Sequence, residues 1–517
     1  QASAIGGAMV PSRCSLLSIG EAIEAQATRH AGKTFVSDAH GRHQGFTYEQ
    51  FRDRARAIAH YWLGLGLRPG ARAAMWLRSR VEHLEIYGAC ALSGLIAVPI
   101  NPLFGDGELK AVVEDAEPAW AVVEDDWVER IRGIASGVHL VTLSEFKEAV
   151  STAITDPVPV KVSATGDWAI LFTSGTTSGV PKGVVRSQEA SVLGFITHTG
   201  PMAFDHQGVS LTAFPLHSVS SFFFAFLFHY VGGSVAVHDL MTYPTGADVW
   251  GSISKFNPTY LTLAPQHFRA ILGAASDFPG QGASLRTILL SGASSDVSLR
   301  QQVMQCFPRS AVFEIYGSTE AGLITMLLPE DQDKKPGSVG REPPGNPAVV
   351  LAPVEGFEGD SGEVLCKTPM MFSRYWRKED LTAASFTADG YFKHSDVAAR
   401  DADGFFFLLG RKDDCIVMGT GRNVMPDEVE KALLQHGDVE LPVVVAVPGQ
   451  DGSPAVAAVI VAKQGAAVSE EMLAEHCSKF IAAYKVPSRW AWAQGADIPR
   501  TANGKVIRKQ VVARFFQ

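Results

Sequence analysis

The strongest local signal in the sequence is a run of hydroxyls and glycines that ends in a lysine, Thr173-Ser174-Gly175-Thr176-Thr177-Ser178-Gly179-Val180-Pro181-Lys182-Gly183. It follows the apolar run 168–172. Glycines let backbone N–H groups approach an anion, hydroxyls donate further hydrogen bonds, and a lysine neutralises phosphate charge. The pattern reads as a phosphate cradle, although the same composition would serve a surface turn. It is not a Walker loop, because Pro181 precedes the lysine and Gly183 stands where that pattern needs Ser or Thr. A second candidate is Glu314-Ile315-Tyr316-Gly317-Ser318-Thr319-Glu320-Ala321-Gly322. Here Tyr316 offers a ring to a base, Thr319 a hydroxyl to a phosphate oxygen, and Glu320 a carboxylate to Mg²⁺. A strand running into a capped helix start would produce the same residues.

These side chains need a scaffold, and the pattern around them alternates helices with buried strands. Residues 48–65 carry apolar positions at helical spacing, 71–76 read as a strand, 81–92 as a helix and 95–99 as a strand. The rhythm returns in the short apolar runs 209–213, 234–237, 260–263 and 287–291. Such alternation predicts an α/β layered domain with mainly parallel sheets. Between 356 and 409 the texture changes to short runs split by Gly and Asp (362–366, 391–394, 404–409), which predicts a small β-rich subdomain. A compact α+β tail follows, with helices at 426–436 and 469–484 and strands at 443–447 and 456–461. It reads as a separate C-terminal domain.

Composition narrows the function classes. The chain of 517 residues is 46% hydrophobic and 19% charged, too long for one core. Its formal net charge of -9 argues against a general nucleic-acid binder. The six cysteines (Cys14, Cys90, Cys306, Cys366, Cys415, Cys477) show neither zinc spacing nor a disulfide framework, which fits a reducing, cytoplasmic setting. The apolar stretch 220–230 is too short to span a bilayer, and no signal-peptide pattern opens the chain. Residues 1–8 are small and featureless and read as a remnant ahead of a native start at Met9.

Taken together, the two motifs resemble the phosphate loop and the Tyr-Gly-x-Thr-Glu element of the adenylate-forming superfamily, which contains acyl-CoA synthetases, peptide-synthetase adenylation domains and luciferases. The resemblance continues in order through Gly362-Glu363-Val364, Asp389-Gly390-Tyr391-Phe392-Lys393-His394-Ser395-Asp396, Gly410-Arg411-Lys412-Asp413-Asp414 and Pro499-Arg500-Thr501-Ala502-Asn503-Gly504-Lys505. It covers nearly the whole chain. It implies a large N-terminal domain over 10–412 and a small mobile lid over 413–517. Thr173, Ser174, Gly175, Thr176, Thr177 and Lys182 would handle the ATP phosphates. Gly292, Ala293, Ser294, Tyr316 and Gly317 would border the adenine, and Asp396 and Arg411 would bind the ribose. Thr319 and Glu320 would act at the phosphates and Mg²⁺, and Lys505 would bridge the substrate carboxylate and the α-phosphate. Asp413 matches the hinge between two lid orientations, and Gly419 and Gly421 would line the channel for coenzyme A. Two departures stand out: the phosphate loop carries an extra residue at Ser178, and the stretch from Asp414 to Pro426 is also one longer.

Within the superfamily, Pro215-Leu216-His217-Ser218 resembles the Phe-His segment of CoA ligases, whereas amino-acid-activating members carry an aspartate nearby. His217 therefore favours an acyl- or aryl-CoA synthetase using ATP, Mg²⁺ and coenzyme A. The alternative is a stand-alone adenylation enzyme that loads a carrier-protein thiol. A catalytically dead binding module would have lost Lys505 or Glu320, and both are present. The run Ser220-Ser221-Phe222-Phe223-Phe224-Ala225-Phe226-Leu227 has two readings, an aromatic wall for a hydrophobic acid or a buried core helix.

Overall fold

The computed structural model describes residues 18–38, 45–173, 181–238, 244–292, 295–345, 348–355, 357, 359–418, 422–449, 453–500 and 506–516. Short β-branched and apolar runs form the strands of two large sheets. The first has eight strands. At its centre, Thr34–Asp38, Ser234–Val237, Val209–Thr212, Tyr260–Leu263, Thr287–Leu290 and Ala311–Ser318 run parallel in that spatial order. Gly322–Leu327 closes one edge antiparallel to Ala311–Ser318. The second sheet has seven strands, and within it Asp167–Thr173 pairs antiparallel with Lys182–Ser187, which pairs in turn with Arg374–Tyr375. A third, antiparallel sheet joins Ala348–Ala352, Ser361–Lys367, Phe392–Arg400 and Phe406–Arg411, in line with the β-rich subdomain expected there.

Helices pack between the large sheets, and one apolar cluster runs through both, drawing Met75 and Ala97 from one and Leu289 and Phe313 from the other. The helix Val219–Val231 sits inside it, with 221–229 wholly buried. Phe222 stacks on Tyr87 at 4.6 Å between centroids and meets Trp168 edge-on at 5.4 Å. Trp168 Nε1 donates to the Tyr87 carbonyl at 3.0 Å. The core reading thus accounts for most of the phenylalanine run. Its apolar residues encircle the helix rather than forming one stripe, as expected of an element buried on all sides.

In the C-terminal part, Val439–Pro448, Pro454–Ala462 and Arg489–Trp492 form a three-stranded sheet covered by Pro426–Leu434 and Glu470–Ser478. The second helix is shorter than its sequence suggests. Phe480 and Ile481 both donate to the Cys477 carbonyl, and the chain then turns so that Ile481, Tyr484 and Val486 cover the same small core. Among the described residues no helix is long and apolar enough to cross a membrane.

Phe222→Ala should remove stacking on Tyr87 and leave a cavity, lowering stability by about 3–5 kcal/mol. The midpoint of urea unfolding reads this. An unchanged midpoint would mean that the helix is not part of the core.

Candidate functional site

Several of the residues singled out in the sequence follow the C-terminal ends of parallel strands, where open α/β sheets bind ligands. In the first sheet, His217 follows Val209–Thr212, Gly292 follows Thr287–Leu290, and Thr319 and Glu320 follow Ala311–Ser318. Gly292 takes φ +87°, a conformation that favours glycine. Gly317 is required by close approach, because a Cβ there would lie 2.0 Å from the Gly322 carbonyl oxygen. That contact sharpens the hairpin whose turn carries Thr319 and Glu320.

Tyr316, one residue earlier, points toward the third sheet. Its hydroxyl donates to Asp396 Oδ2 at 2.8 Å, and His394 Nδ1 lies 2.9 Å from the hydroxyl oxygen and 3.0 Å from the same Oδ2. Arg411, directly across the antiparallel pair from Asp396, donates to Asp396 Oδ1 at 3.0 Å. Burial alone would raise the Asp396 carboxyl, but His394, Arg411 and Tyr316 together bring it down to about 2. Burial and Asp396 push the Tyr316 hydroxyl well above its ordinary range, so it stays a donor. His394 carries no role in the sequence reading, yet it shares the strand face of Asp396 two residues on, a spacing that marks it in retrospect. Ser395 between them takes φ +65°, a strained conformation for a residue with a Cβ.

The phosphate-loop candidates divide. Thr173 and Lys182 are paired across adjacent strands. Lys182 Nζ lies 5.9 Å over the Tyr375 ring, and the Tyr375 hydroxyl donates to Glu320 Oε1 at 3.0 Å. Tyr375, which sequence reasoning missed, thereby joins the lysine to the carboxylate. Ser174, Gly175, Thr176, Thr177, Ala293, Ser294, Gly419, Gly421 and Lys505 lie outside the described residues.

His217 stands in a segment fixed by Leu216, whose N–H donates to Ser79 Oγ at 3.1 Å. Burial lowers its imidazole to about 4, so it is neutral at pH 7. No hydrogen bond or ring contact among the described residues joins it to the Tyr316 cluster. Around the expected hinge, Arg411 Nη2 lies 3.7 Å from Asp413 Oδ2. The neighbours of Asp413 are both paired. Lys412 pairs with Glu363 at 2.7 Å, and Asp414 with Arg508 at 3.4 Å, because both meet an opposite charge on the surface they face. Arg508 also binds Glu430 at 2.6 Å and Asp427 at 3.3 Å.

Among the described residues no three His, Cys, Asp or Glu side chains converge on a metal-sized point. One carboxylate at Glu320 nevertheless suits magnesium, which keeps water and takes other oxygens from substrate phosphates. A half-buried carboxylate–guanidinium pair suits a diol, and a lysine with a hydroxyl loop suits polyphosphate.

The profile of the AMP-binding enzyme family matches residues 23–376, and that of the AMP-binding enzyme C-terminal domain matches 428–505. The chain belongs to the AMP-binding enzyme family. Among its relatives, this AMP-binding enzyme is 28% identical to a 2-succinylbenzoate–CoA ligase of Bacillus licheniformis, covering 90% of this chain and 94% of the other. It is 29% identical to the fatty acid–[acyl-carrier-protein] ligase ScoC of Streptomyces coeruleorubidus, over 91% and 92% of the two chains. The crystal structure of ATP-bound MatB from Rhodopseudomonas palustris superposes with a TM-score of 0.85 at 26% identity, covering 96% and 98%. The likeness spans the large N-terminal domain and the small C-terminal one.

Asp396→Asn should weaken ATP binding about 10- to 100-fold, the cost of removing a charged hydrogen-bonding partner, with little change in the rate at saturation. Calorimetric titration reads this, and unchanged affinity would exclude Asp396 from the nucleotide site. A second outcome concerns pH. Burial and Glu430 raise the Asp427 carboxyl from its ordinary 3.8 to about 6, despite Arg508. A raised folded pKa gives stability that is present below the unfolded value and lost as pH rises through the folded one. Asp427→Asn should therefore gain melting temperature relative to wild type as pH rises from about 3.8 to about 6. A difference that stays constant, or falls, would contradict this.

Proposed function

We propose that this AMP-binding enzyme is an ATP- and magnesium-dependent acid–thiol ligase, an acyl-CoA synthetase that adenylates a hydrophobic carboxylic acid. The observation that carries the reading is the single strand Ala311–Ser318. It ends in a buried tyrosine tied to a carboxylate–guanidinium pair, and the next turn carries Thr319 and Glu320. One strand end thus offers a nucleoside site and a phosphate site within a few residues. Asp396 and Arg411 bind the ribose hydroxyls, with Tyr316, Gly317, Gly292, Ala293 and Ser294 beside the adenine. Thr173 through Thr177 and Lys182 hold the β- and γ-phosphates, and Thr319 bonds a phosphate oxygen.

Glu320 is the residue that would hold magnesium, which when bound neutralises phosphate charge and favours pyrophosphate as leaving group. In the first half-reaction the substrate carboxylate oxygen bonds to the α-phosphorus, the bond to the bridging α–β oxygen breaks, and pyrophosphate departs. Lys505 places its ammonium between the two sets of oxygens as charge accumulates there. In the second, the thiolate sulfur bonds to the acyl carbon and AMP leaves with the bonding pair. We place the hinge at Asp413, the domain boundary at 412/413, and the thiol channel along Gly419 and Gly421. The neutral His217 borders the acyl site.

A hydrophobic acid is favoured by relatives named for long-chain fatty acids and ferulate, from Salmonella typhimurium and an Amycolatopsis species. The phenylalanine helix adds little, being core. The five cysteines among the described residues are free thiols, which suits a reducing cytoplasm, where ATP and coenzyme A are both available. ScoC gives the second reading some support, with a carrier-protein phosphopantetheine thiol as acceptor in place of coenzyme A.

Pyrophosphate release across a panel of carboxylic acids, with coenzyme A or holo carrier protein as acceptor, tests the function. The best signal is expected from an aryl or fatty acid with coenzyme A. No acid-dependent release from any member would overturn the reading, and turnover with carrier protein alone would select the second. With the best acid, Lys505→Ala should slow adenylate formation about 10²–10³-fold. It should leave transfer from synthetic acyl adenylate to coenzyme A nearly unchanged, and Lys505→Arg should not restore adenylation fully. Equal damage to both steps would exclude alternation of the lid.

A further inference from the structure

Arg186 stands on the strand Lys182–Ser187, only 2% exposed. Its guanidinium donates to the Thr319 carbonyl at 3.3 Å and to the Met370 carbonyl at 2.5 Å. Burial lowers it to about 10, with the Glu320 carboxylate acting in the opposite sense, so it remains a cation at neutral pH. Removing a guanidinium from water is unfavourable unless acceptors and an opposite charge replace the solvent. An apolar side chain of similar volume would fill an interior strand position without that cost. The charge at this position therefore calls for a reason other than packing.

The turn that Arg186 reaches is also held from the side of 368–376. Phe372 N–H donates to the Glu320 carbonyl at 2.7 Å, and Thr368 Oγ1 to the Ala321 carbonyl at 2.5 Å. Tyr375 donates to Glu320 Oε1 from a ring that lies under Lys182. Segment 368–376 is in turn fastened to the strand of Arg186: Ser373 N–H donates to the Val185 carbonyl at 2.9 Å, and Trp376 N–H to the Gly183 carbonyl at 2.7 Å. Lys182 of the second sheet and Glu320 of the first are thus braced against each other by Arg186 and Tyr375.

We propose that Arg186 is a positioning residue for polyphosphate, setting the Thr319–Glu320 turn and supplying a fixed positive field behind it, while Tyr375 occupies one carboxylate oxygen and leaves the other to a ligand. This rests on the adenylating function proposed above. It makes the brace selective, since a nucleoside triphosphate brings its β- and γ-phosphates to the turn and AMP does not. Arg186 touches neither phosphate nor metal, so its effect passes through Thr319 and Glu320.

Calorimetric binding of MgATP and of AMP to the full-length wild type, Arg186→Met, Arg186→Lys and Tyr375→Phe tests the inference without any need for the acid substrate. Arg186→Met should weaken MgATP binding about tenfold or more while changing AMP affinity less than about threefold, and Arg186→Lys should recover part of the loss. Tyr375→Phe should raise the magnesium concentration needed for half-maximal ATP binding, with AMP affinity unchanged. A purely structural brace predicts equal losses for both nucleotides, and that result, or no loss at all, would overturn the proposal. If Arg186→Met does not fold, Arg186→Lys and Tyr375→Phe decide by the same contrast between nucleotides. A wild type that binds neither nucleotide would instead overturn the adenylating function, and this inference with it.

Discussion

A carboxylate buried as deeply as that of Asp396 must recover the hydration it loses, and it does so from three directions: a tyrosine hydroxyl, an imidazole and a guanidinium. The donors come from different parts of the chain. Tyr316 lies near the end of the strand Ala311–Ser318 of the first sheet, whereas His394 and Arg411 belong to the third, so one charge ties two sheets together. Ser395, between His394 and Asp396, takes the left-handed region, where a residue with a Cβ is strained. Loss of any donor would leave the charge partly uncompensated in a medium of low dielectric.

Close backbone approach sets the other half of the site. Gly317 abuts the Gly322 carbonyl, and Gly322 at φ +68° lies against Met370. No side chain fits at the first, and the second takes a backbone that L residues avoid. The hairpin turn is thus narrow enough for Thr319 and Glu320 to meet Tyr375 and Arg186, which belong to the other large sheet. The strand Ala311–Ser318 and the hairpin after it send Phe313, Leu323 and Met326 into the shared core, while Phe392, Ala398 and Phe406 of the third sheet pack in a second cluster with Tyr316, so both halves stand on rigid elements.

Much of this was legible in the residue pattern. Parallel strands reveal themselves as short apolar runs, because helices cover both faces, and the runs at 234–237 and 260–263 match the observed strands end to end. Tyr316 is visible from its motif, Asp396 and Arg411 from the resemblance, and the structure brings the three together. His394 escaped because period-two alternation is read for burial rather than for shared chemistry. Arg186 and Tyr375 escaped for a different reason: each acts across a separation of more than fifty residues, through backbone carbonyls or one hydroxyl, and no local motif encodes such a contact. The phenylalanine helix admitted two readings because composition alone does not distinguish a buried element from a pocket wall.

The hinge proposed at Asp413 raises a question of energy. Lys412–Glu363 and Arg411–Asp413 are partly exposed pairs on the N-terminal side of it, and Arg508 ties Asp414 to the helix Pro426–Leu434 on the other. Exposed pairs are worth only about 0–1 kcal/mol each, because water competes for both partners. A rotation about 412–414 that broke the two outer pairs would cost little, and new pairs or solvent would offset it. The Arg508 cluster differs. It is more deeply buried, gathers three carboxylates, and lies entirely on the C-terminal side, so it can travel with that domain intact. Weak pairs before the proposed pivot and a firm cluster after it are what a rigid-body rotation of a small domain would need: a low barrier at the joint and no slack within the moving part.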